Sequence, residues 1–250
     1  TISHSLGSVP GMIIVKCTTA FQDWNVYHVG TGATKYLKLN STDASVTHNN
    51  RWNDTAPTAT EFTVSTAPEV NSSGASYVAY LFAHNEASFG TESSNAIVYC
   101  GSYDGNGTTS HTLDLGFEPQ FFIQKNAGAA TGGTWNMFDY VRGVVTAGGG
   151  VGDDRYFRAN TDQTDGSFDT MEFTPTGVQI TTDHSNWNAS GVNYIYLAIR
   201  RSDGAVGKEE TDPTKVFAIA QGNGSSTIPN FTSNFPVDFA YYRRPATSEY

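Results

Sequence analysis

Two tryptophans with polar neighbours are the residues of this chain best suited to bind a ligand. Flat aromatic rings on loops stack on pyranose rings, while neighbouring amide and guanidinium groups hydrogen-bond the hydroxyls. The alternative is that both tryptophans pack in small hydrophobic clusters beneath their loops. The predicted glycan site consists of two segments: Arg51, Trp52 and Asn53, and Asn186, Trp187 and Asn188.

A second candidate site is the acidic segment 160–166, which has the composition of a calcium-binding loop. Asp162 and Asp165 are its candidate ligands, because Ca²⁺ prefers carboxylate oxygens. The spacing lacks the alternate-residue pattern of a loop that wraps a cation, and Asp and Asn are also common in ordinary turns. The six histidines are scattered along the chain, so they give a zinc site no local support.

Catalytic patterns are absent from the sequence. A glycoside hydrolase needs two carboxylates flanking one bond, commonly on one strand as Glu-x-Asp-x-x-Glu, and no such string occurs. The only adjacent glutamates, Glu209 and Glu210, lie in a polar linker. A serine nucleophile elbow is missing as well. We therefore predict a protein without enzymatic activity and without a cofactor.

The composition narrows the class of protein. Charged residues make up 15% of the chain and aromatic residues 13%, with a net charge of −10. The negative charge argues against nucleic acid and anionic membranes as partners, and no apolar run is long enough to span a bilayer. Cys17 and Cys100 form neither a disulfide framework nor a metal spacing, so both are predicted to be free thiols. This composition suits a virion or extracellular protein.

Short apolar or aromatic segments follow one another between Gly, Asn, Asp, Thr and Pro residues. No window shows an amphipathic helix period with a cap. Runs such as Met12 to Val15 and Phe121 to Ile123 suit strands that are covered on both faces. The pattern predicts an all-β fold, in which the strands form β-sandwich or jelly-roll domains.

The same sequence blocks occur twice in the same order, a domain's length apart. The segment around Pro10 returns around Pro119, and the turn at Asn71 returns at Asn188. Trp24 and Trp135 occupy matched places between these blocks, so both are predicted to lie in a core. Such order predicts a duplicated domain.

The first part of a third copy appears near the C-terminus, where Gly222-Asn223-Gly224 repeats Gly105-Asn106-Gly107. We expect this chain to be a fragment of a longer protein, or a processed product. The predicted organisation is a first β-sandwich over 1–95, a second over 96–205, and a linker with an incomplete third copy over 206–250.

Three segments of the second copy together resemble a repeat domain of tailed-phage structural proteins, notably phages of marine and cyanobacterial hosts. The resemblance implies a concanavalin-like jelly roll that occurs in tandem in fibre-like polypeptides. The first copy departs from it, because it lacks counterparts of Asp139 and Arg142; these two residues are therefore predicted to form a local ion pair. The segments are Gly116-Phe117-x-Pro119-x-Phe121-Phe122-Ile123-x-Lys125-Asn126, Trp135-x-x-Phe138-Asp139-x-Val141-Arg142-Gly143 and Asn188-x-Ser190-Gly191-x-x-Tyr194-Ile195.

These observations predict a non-catalytic virion fibre or tail-associated structural protein that also recognises a host-surface polysaccharide. The predicted partners are other copies of the chain, other virion proteins and that polysaccharide. One alternative is an extracellular filament subunit whose C-terminal segment adds a strand to a neighbour's sheet edge. A polysaccharide-cleaving enzyme is the least favoured alternative. The assembly residues expected for the filament are Val216, Phe217, Phe239 and Tyr241.

Overall fold

The computed structural model describes residues 1–84, 96–128, 133–144, 154–201, 214, 217–219 and 237. Thr1–Lys208 form one compact unit and Glu209–Tyr250 form a second. The predicted third copy lies almost wholly outside the described residues.

In its described residues, 1–84, the first repeat contains seven short strands and one helical turn. The turn, α1, begins with a proline, which suits the first position of a helix because no N–H is needed there. In the part of the chain that the structure describes, no helix is long and apolar enough to cross a membrane. The elements are β1 (Ile2–Ser3), β2 (Pro10–Cys17), β3 (Asn25–His28), β4 (Lys35–Lys38), β5 (Val46–Thr47), β6 (Glu61–Phe62), α1 (Pro68–Asn71) and β7 (Tyr77–Ala83).

The described residues of the second repeat form nine strands. The two predicted apolar runs are confirmed as strands, β2 and β10, and the tyrosine-rich runs Tyr77 to Ala83 and Tyr194 to Ile199, which the sequence also predicts as strands, form β7 and most of β16. The elements are β8 (Val98–Asp104), β9 (His111–Asp114), β10 (Pro119–Asn126), β11 (Trp135–Asp139), β12 (Arg155–Arg158), β13 (Gly166–Ser167), β14 (Met171–Thr174), β15 (Gly177–Ile180) and β16 (Asn193–Arg200).

The central sheets of the two repeats share one strand order. The first sheet has the order β5-β4-β3-β2-β7, and the second has β13-β12-β11-β10-β16 followed by β8. Every neighbouring pair is antiparallel. Smaller sheets, β1-β6 and β14-β15-β9, complete the fold. The two sheets differ at one edge, because β8 extends the second sheet beyond β16, whereas β7 pairs only with β2 among the described strands.

The equivalence of the repeats reaches the level of single residues at the two prolines. Pro10 pairs with Ala83 and Pro119 with Arg200, and in both strands the register shifts immediately after the proline. The extra residue, Gly11 in β2, forms a bulge that bends the strand. The same irregularity at matched prolines is what duplication of one ancestral unit predicts.

A second matched detail is a tyrosine that ties the turn before the last strand. The Tyr77 hydroxyl donates to the Pro68 carbonyl (2.7 Å) and accepts from the backbone N–H of Ser72 (2.6 Å). The Tyr194 hydroxyl donates to the Ser185 carbonyl (2.6 Å) and accepts from the backbone N–H of Ala189 (2.9 Å). In each repeat one side chain therefore satisfies two backbone groups that the turn leaves unpaired.

Three hydrophobic cores, formed by the residues that the structure describes, hold the sheets together. One core, which includes Ile13 and Val15, belongs to the first repeat, and another, which includes Phe122 and Val178, belongs to the second. The third lies between the two central sheets and joins Met12, Val26 and Leu37 of the first repeat to residues of the second, among them Cys100, Ile123, Ile195 and Leu197.

The prediction of an all-β sandwich fold is confirmed, because packed antiparallel sheets enclose all three cores. The two repeats share one of those cores, and both lie in the unit Thr1–Lys208. The division into separate domains at residue 95 stays a prediction.

Candidate functional site

A buried lysine–tryptophan pair marks the centre of the contact between the repeats. Lys125 on β10 pairs in register with Trp135 on β11, and its Nζ lies 5.5 Å from the centroid of the Trp135 ring. The Lys125 Nζ donates to the carbonyls of Gly133 (2.5 Å) and Ser41 (3.3 Å). Lys125 is fully buried, and this burial lowers the pKa of its ammonium group to about 8.

The pair is covered by the segment 38–45 of the first repeat, which we call cap loop 1. The Trp135 Nε1 donates to the Lys38 carbonyl (2.8 Å), and the Gly133 N–H donates to the Thr42 carbonyl (2.9 Å). The N–H and hydroxyl of Ser45 both donate to the Ala127 carbonyl, at 3.0 and 2.8 Å. Most of these contacts use backbone groups of cap loop 1, so they depend on its shape more than on its side chains.

Close backbone approach extends this interface toward β8. A Cβ atom added at Gly11 would lie 2.6 Å from the Cβ of Cys100, and one added at Gly30 would lie 2.7 Å from the Cβ of Ser102. Between them, His28 Nε2 is 3.0 Å from the Tyr196 carbonyl, and His28 Nδ1 accepts from the Gly30 N–H (3.0 Å). Burial lowers the pKa of His28 to about 4, which keeps the imidazole neutral.

The first repeat carries the equivalent pair, Lys16 and Trp24. Each residue lies one position beyond the paired Val15 and Asn25, and the Lys16 Nζ is 5.7 Å from the centroid of the Trp24 ring. The Lys16 Nζ donates to the carbonyl of Gln22, two residues before the tryptophan, as Lys125 does to Gly133.

The loops next to the two tryptophans are also equivalent. The backbone N–H of Trp24 donates to Asn40 Oδ1 and that of Trp135 donates to Asn160 Oδ1, both at 2.9 Å. The segment 158–165 of the second repeat therefore corresponds to cap loop 1, and we call it cap loop 2.

Unlike its counterpart, the pair in the first repeat is open to solvent. Lys16 and Trp24 are only partly buried, Tyr80 packs beside Trp24 with 47% of its surface exposed, and Phe21 is fully exposed. Within the described ranges, the Trp24 Nε1 has no hydrogen-bond partner, whereas the Trp135 Nε1 bonds to cap loop 1. We call Lys16, Phe21, Trp24 and Tyr80 the open surface. The prediction that Trp24 lies in a core is thus wrong, while the same prediction for Trp135 is confirmed.

The two tryptophans of the predicted glycan site are buried, which corrects their expected exposure. Trp52 is 2% exposed and packs its edge on Tyr27, and Trp187 is 3% exposed and packs against Tyr156. A buried ring offers no face to a sugar, so the hydrophobic-cluster alternative describes both residues. Sequence neighbours alone do not reveal on which side of a loop a ring lies.

The polar neighbours of these tryptophans are engaged within the protein. Buried Arg51 donates to Asn25 Oδ1 (2.7 Å) and Glu69 Oε1 (2.8 Å). Buried Asn188 donates to Asn106 Oδ1 and the Thr108 carbonyl, both at 2.7 Å.

The remaining two predicted ligands of the sugar lie in turns. Asn53 occupies an exposed turn in a left-handed conformation (φ 52°), and the Asn186 carbonyl accepts from Gln124 Nε2 (2.9 Å). The predicted site does not come together, because its two halves lie in the separate cores of the two repeats.

The predicted calcium ligands do not converge either. Asp165 pairs with Arg155 (3.4 Å), and Asp162 is exposed to solvent. Within the described residues, no group of three or more His, Cys, Asp or Glu side chains is placed to hold a metal ion. The segment 160–166 is instead largely cap loop 2, in which Asn160 bonds the backbone of Trp135.

Other predicted residues have simpler outcomes. Asp139 and Arg142 form the expected ion pair (2.8 Å), and Cys17 and Cys100 are free and buried. Of the assembly residues, Phe217 is 66% exposed, while Val216, Phe239 and Tyr241 lie outside the described residues.

Sequence reasoning missed the lysines of the two pairs as functional residues. The signal was present, because each lysine ends a matched apolar run and each is followed by a matched tryptophan. What the sequence does not show is that one pair is covered and the other is open.

In comparisons with known proteins, one family model covers both repeats. Residues 1–202 match the family model described as a domain of unknown function, DUF7483. No curated protein and no solved structure matches the chain significantly. Since the family model spans both repeats and more than half of the chain, this protein belongs to the DUF7483 family.

Proposed function

We propose that this protein is a non-catalytic structural module of a virion fibre or of an extracellular assembly. The observation that carries the proposal is the way two equivalent sandwich repeats pack, through a shared core and backbone contacts of cap loop 1. Such packing builds a rigid element from repeated units, which is what fibres and stalks require. The resemblance of the second repeat to tailed-phage repeats supports the virion setting.

The proposal is tested by locating the protein in its source. Antibodies raised against the recombinant chain should label particles or extracellular fibres in electron micrographs of the producing culture, and the protein should co-purify with them. Labelling confined to the soluble cell fraction would contradict the proposal. Incubation with polysaccharides from the same culture should release no reducing sugar, and sustained release would contradict the non-catalytic part.

Strand exchange is a second candidate function, which the free edge of β7 favours. β16 is paired on both sides, by β10 and β8, whereas its equivalent β7 has β2 as its only partner among the described strands. β7 carries neither charge nor proline, the usual protection of an edge. In the sequence, the residues before Gly222-Asn223-Gly224 correspond to β8. This segment of one chain is therefore the one expected to add a strand beside β7 of a neighbouring chain.

Strand exchange predicts that a backbone change in the donor segment weakens self-association. Ile219→Pro removes an N–H from an exposed position and should reduce the oligomer fraction in sedimentation velocity experiments. Ile219→Val keeps the N–H and is the matched control. Equal self-association of the two variants would rule out this route.

Recognition of a host-surface polysaccharide stays a prediction without an assigned site, because Trp52 and Trp187 are buried. A glycan array probed with the intact chain tests it directly.

A further inference from the structure

The contact between the two repeats is one-sided. Cap loop 1 of the first repeat covers the Lys125–Trp135 pair of the second repeat. The reciprocal contact does not occur within the described part of the chain, where residues 162–165 of cap loop 2 are exposed and the open surface is uncovered. The internal interface therefore has two unengaged equivalents within the described residues of one molecule. The open surface is the equivalent of the Lys125–Trp135 pair, and cap loop 2 is the equivalent of cap loop 1.

We propose that the open surface is a docking site for cap loop 2 of a second copy of this chain. The inference rests on the proposed structural function and names its partner. Repeating the internal contact would place the Arg158 carbonyl of cap loop 2 at the Trp24 Nε1, as the Lys38 carbonyl lies at the Trp135 Nε1. It would also give the Lys16 Nζ a second carbonyl, in the role that Ser41 has for Lys125.

The groups that form the internal contact are also present in cap loop 2. Cap loop 1 contributes mainly backbone carbonyls, and every residue of cap loop 2 has one. Both loops are held by the same asparagine bond to the backbone of their own tryptophan, so their positions relative to the sheet agree. Differences in side chains between the loops therefore leave the principal contacts available.

The exposed aromatic residues indicate the same partner. Phe21 lies fully in solvent next to Gln22, whose carbonyl accepts from Lys16, and Tyr80 is half exposed beside Trp24. Exposed apolar side chains near one another in this way mark interaction sites. After docking, the first copy still has its own cap loop 2 free, and the second copy still has its own open surface free. Contacts of this head-to-tail kind generate open chains of molecules, or rings where the rotation closes.

The first test is assembly in solution. Phe21→Asp places a charge in the open surface at a position that makes no fold contact, and it should weaken concentration-dependent self-association by about tenfold or more in sedimentation velocity experiments. Val141→Asp is the matched control, because Val141 is 79% exposed and lies outside the open surface. It should assemble like the wild type.

The directional nature of the contact gives a sharper result. A Phe21→Asp chain still presents an intact cap loop 2, so an excess of it should shorten wild-type assemblies by occupying their terminal open surfaces. An excess of Val141→Asp should leave their length unchanged. Assemblies of Phe21→Asp as long as those of the wild type would overturn the proposal.

The second test fixes the register. Thr42 and Gly133 are bonded in the internal contact, and their equivalents are Asp162 in cap loop 2 and Gln22 beside the open surface. A mixture of Gln22→Cys and Asp162→Cys proteins should form a mixed disulfide between copies on mild oxidation. Gln22→Cys mixed with Ser73→Cys, an exposed position elsewhere, should not.

The outcomes separate this inference from the structural function. Self-association that persists in Phe21→Asp, without the disulfide, overturns the docking mode and leaves the structural proposal standing. A wild-type chain that is monomeric at every concentration and gives no disulfide overturns the docking mode as well. Binding of a sugar by a monomer, lost in Phe21→Asp, would assign the open surface to glycans instead.

Discussion

At the scale of the residue, His28 shows how burial turns an ordinary hydrogen bond into a fixed protonation state. Because Nδ1 accepts from the Gly30 N–H, the ring proton resides on Nε2 and is donated to the Tyr196 carbonyl across the repeats. A second proton would sit on Nδ1, facing another N–H group. The imidazole is therefore neutral while the repeats are packed.

This state predicts a pH-dependent stability. The folded pKa of about 4 is below the ordinary value of 6.5, so at intermediate pH the unfolded chain binds a proton that the folded chain does not. The free energy of unfolding has its full value above pH 6.5 and falls by about 3 kcal/mol as the pH drops toward 4. His28→Gln keeps a donor for Tyr196 but binds no proton, so its stability should fall less over this range in urea unfolding experiments.

His48→Gln is the control for this prediction, because His48 is exposed. It should keep the wild-type profile. A His28→Gln protein that loses as much stability as the wild type between these pH values would show that His28 is not the group responsible.

At the scale of the element, the matched bulges of β2 and β10 have different roles. The bulge residue of β2 is Gly11, and it touches the first residues of the second repeat. The equivalent residue of β10 is Gln120, whose side chain is only partly buried. The glycine is thus required by the neighbouring repeat and not by the bulge itself.

Gly11→Ala should destabilise the protein by about 1–3 kcal/mol, since its Cβ would overlap Cys100 and His84. Urea unfolding of Gly11→Ala and of the matched Gln120→Ala checks the prediction, and the second variant should change stability by less than about 0.5 kcal/mol. Equal midpoints for the two variants would contradict this account of the bulge.

The elements are also where sequence reasoning succeeded and failed most clearly. The strands from Tyr77 and from Tyr194 were predictable because their apolar runs leave matched turns. The covering of the strands was not, because Trp24 and Trp135 have matched positions but different neighbours. Periodicity reports what one strand needs, whereas burial of a sheet face depends on which other element reaches it. The helical turn α1 and the strand β8 carried too little local pattern to be predicted.

The candidate site followed the same logic. The buried tryptophans were assigned to sugar binding because their neighbours are polar, yet Arg51 and Asn188 use that polarity inside the fold. A polar residue beside an aromatic one has the same sequence whether it serves a ligand or a turn.

At the scale of the whole molecule, the shared core makes the two repeats one mechanical body. Met12 and Val26 of the first repeat pack in the same cluster as Ile195 and Leu197 of the second. Separation of the repeats would expose that cluster and leave the Lys125 ammonium without the carbonyl of Ser41. We therefore expect residues 1–202 to unfold in one step.

This expectation is tested with two matched substitutions in the outer cores. Val15→Ala belongs to the core of the first repeat and Val178→Ala to that of the second, and each should cost about 2 kcal/mol. Each variant should lower the midpoint of circular dichroism and of thiol labelling together. Burial raises the pKa of the Cys100 thiol to about 12, so this thiol reacts only when the protein opens. A variant that moves one probe and not the other would show independent repeats.

The backbone character of cap loop 1 has a consequence for how the two repeats can diverge in sequence. Every amino acid has a backbone carbonyl oxygen, so a contact made through carbonyls survives substitutions that would remove a contact between side chains. Neighbouring units are then free to accumulate different surface chemistries while staying attached to each other. The contact made by cap loop 1 therefore places little restriction on the exposed side chains of each repeat.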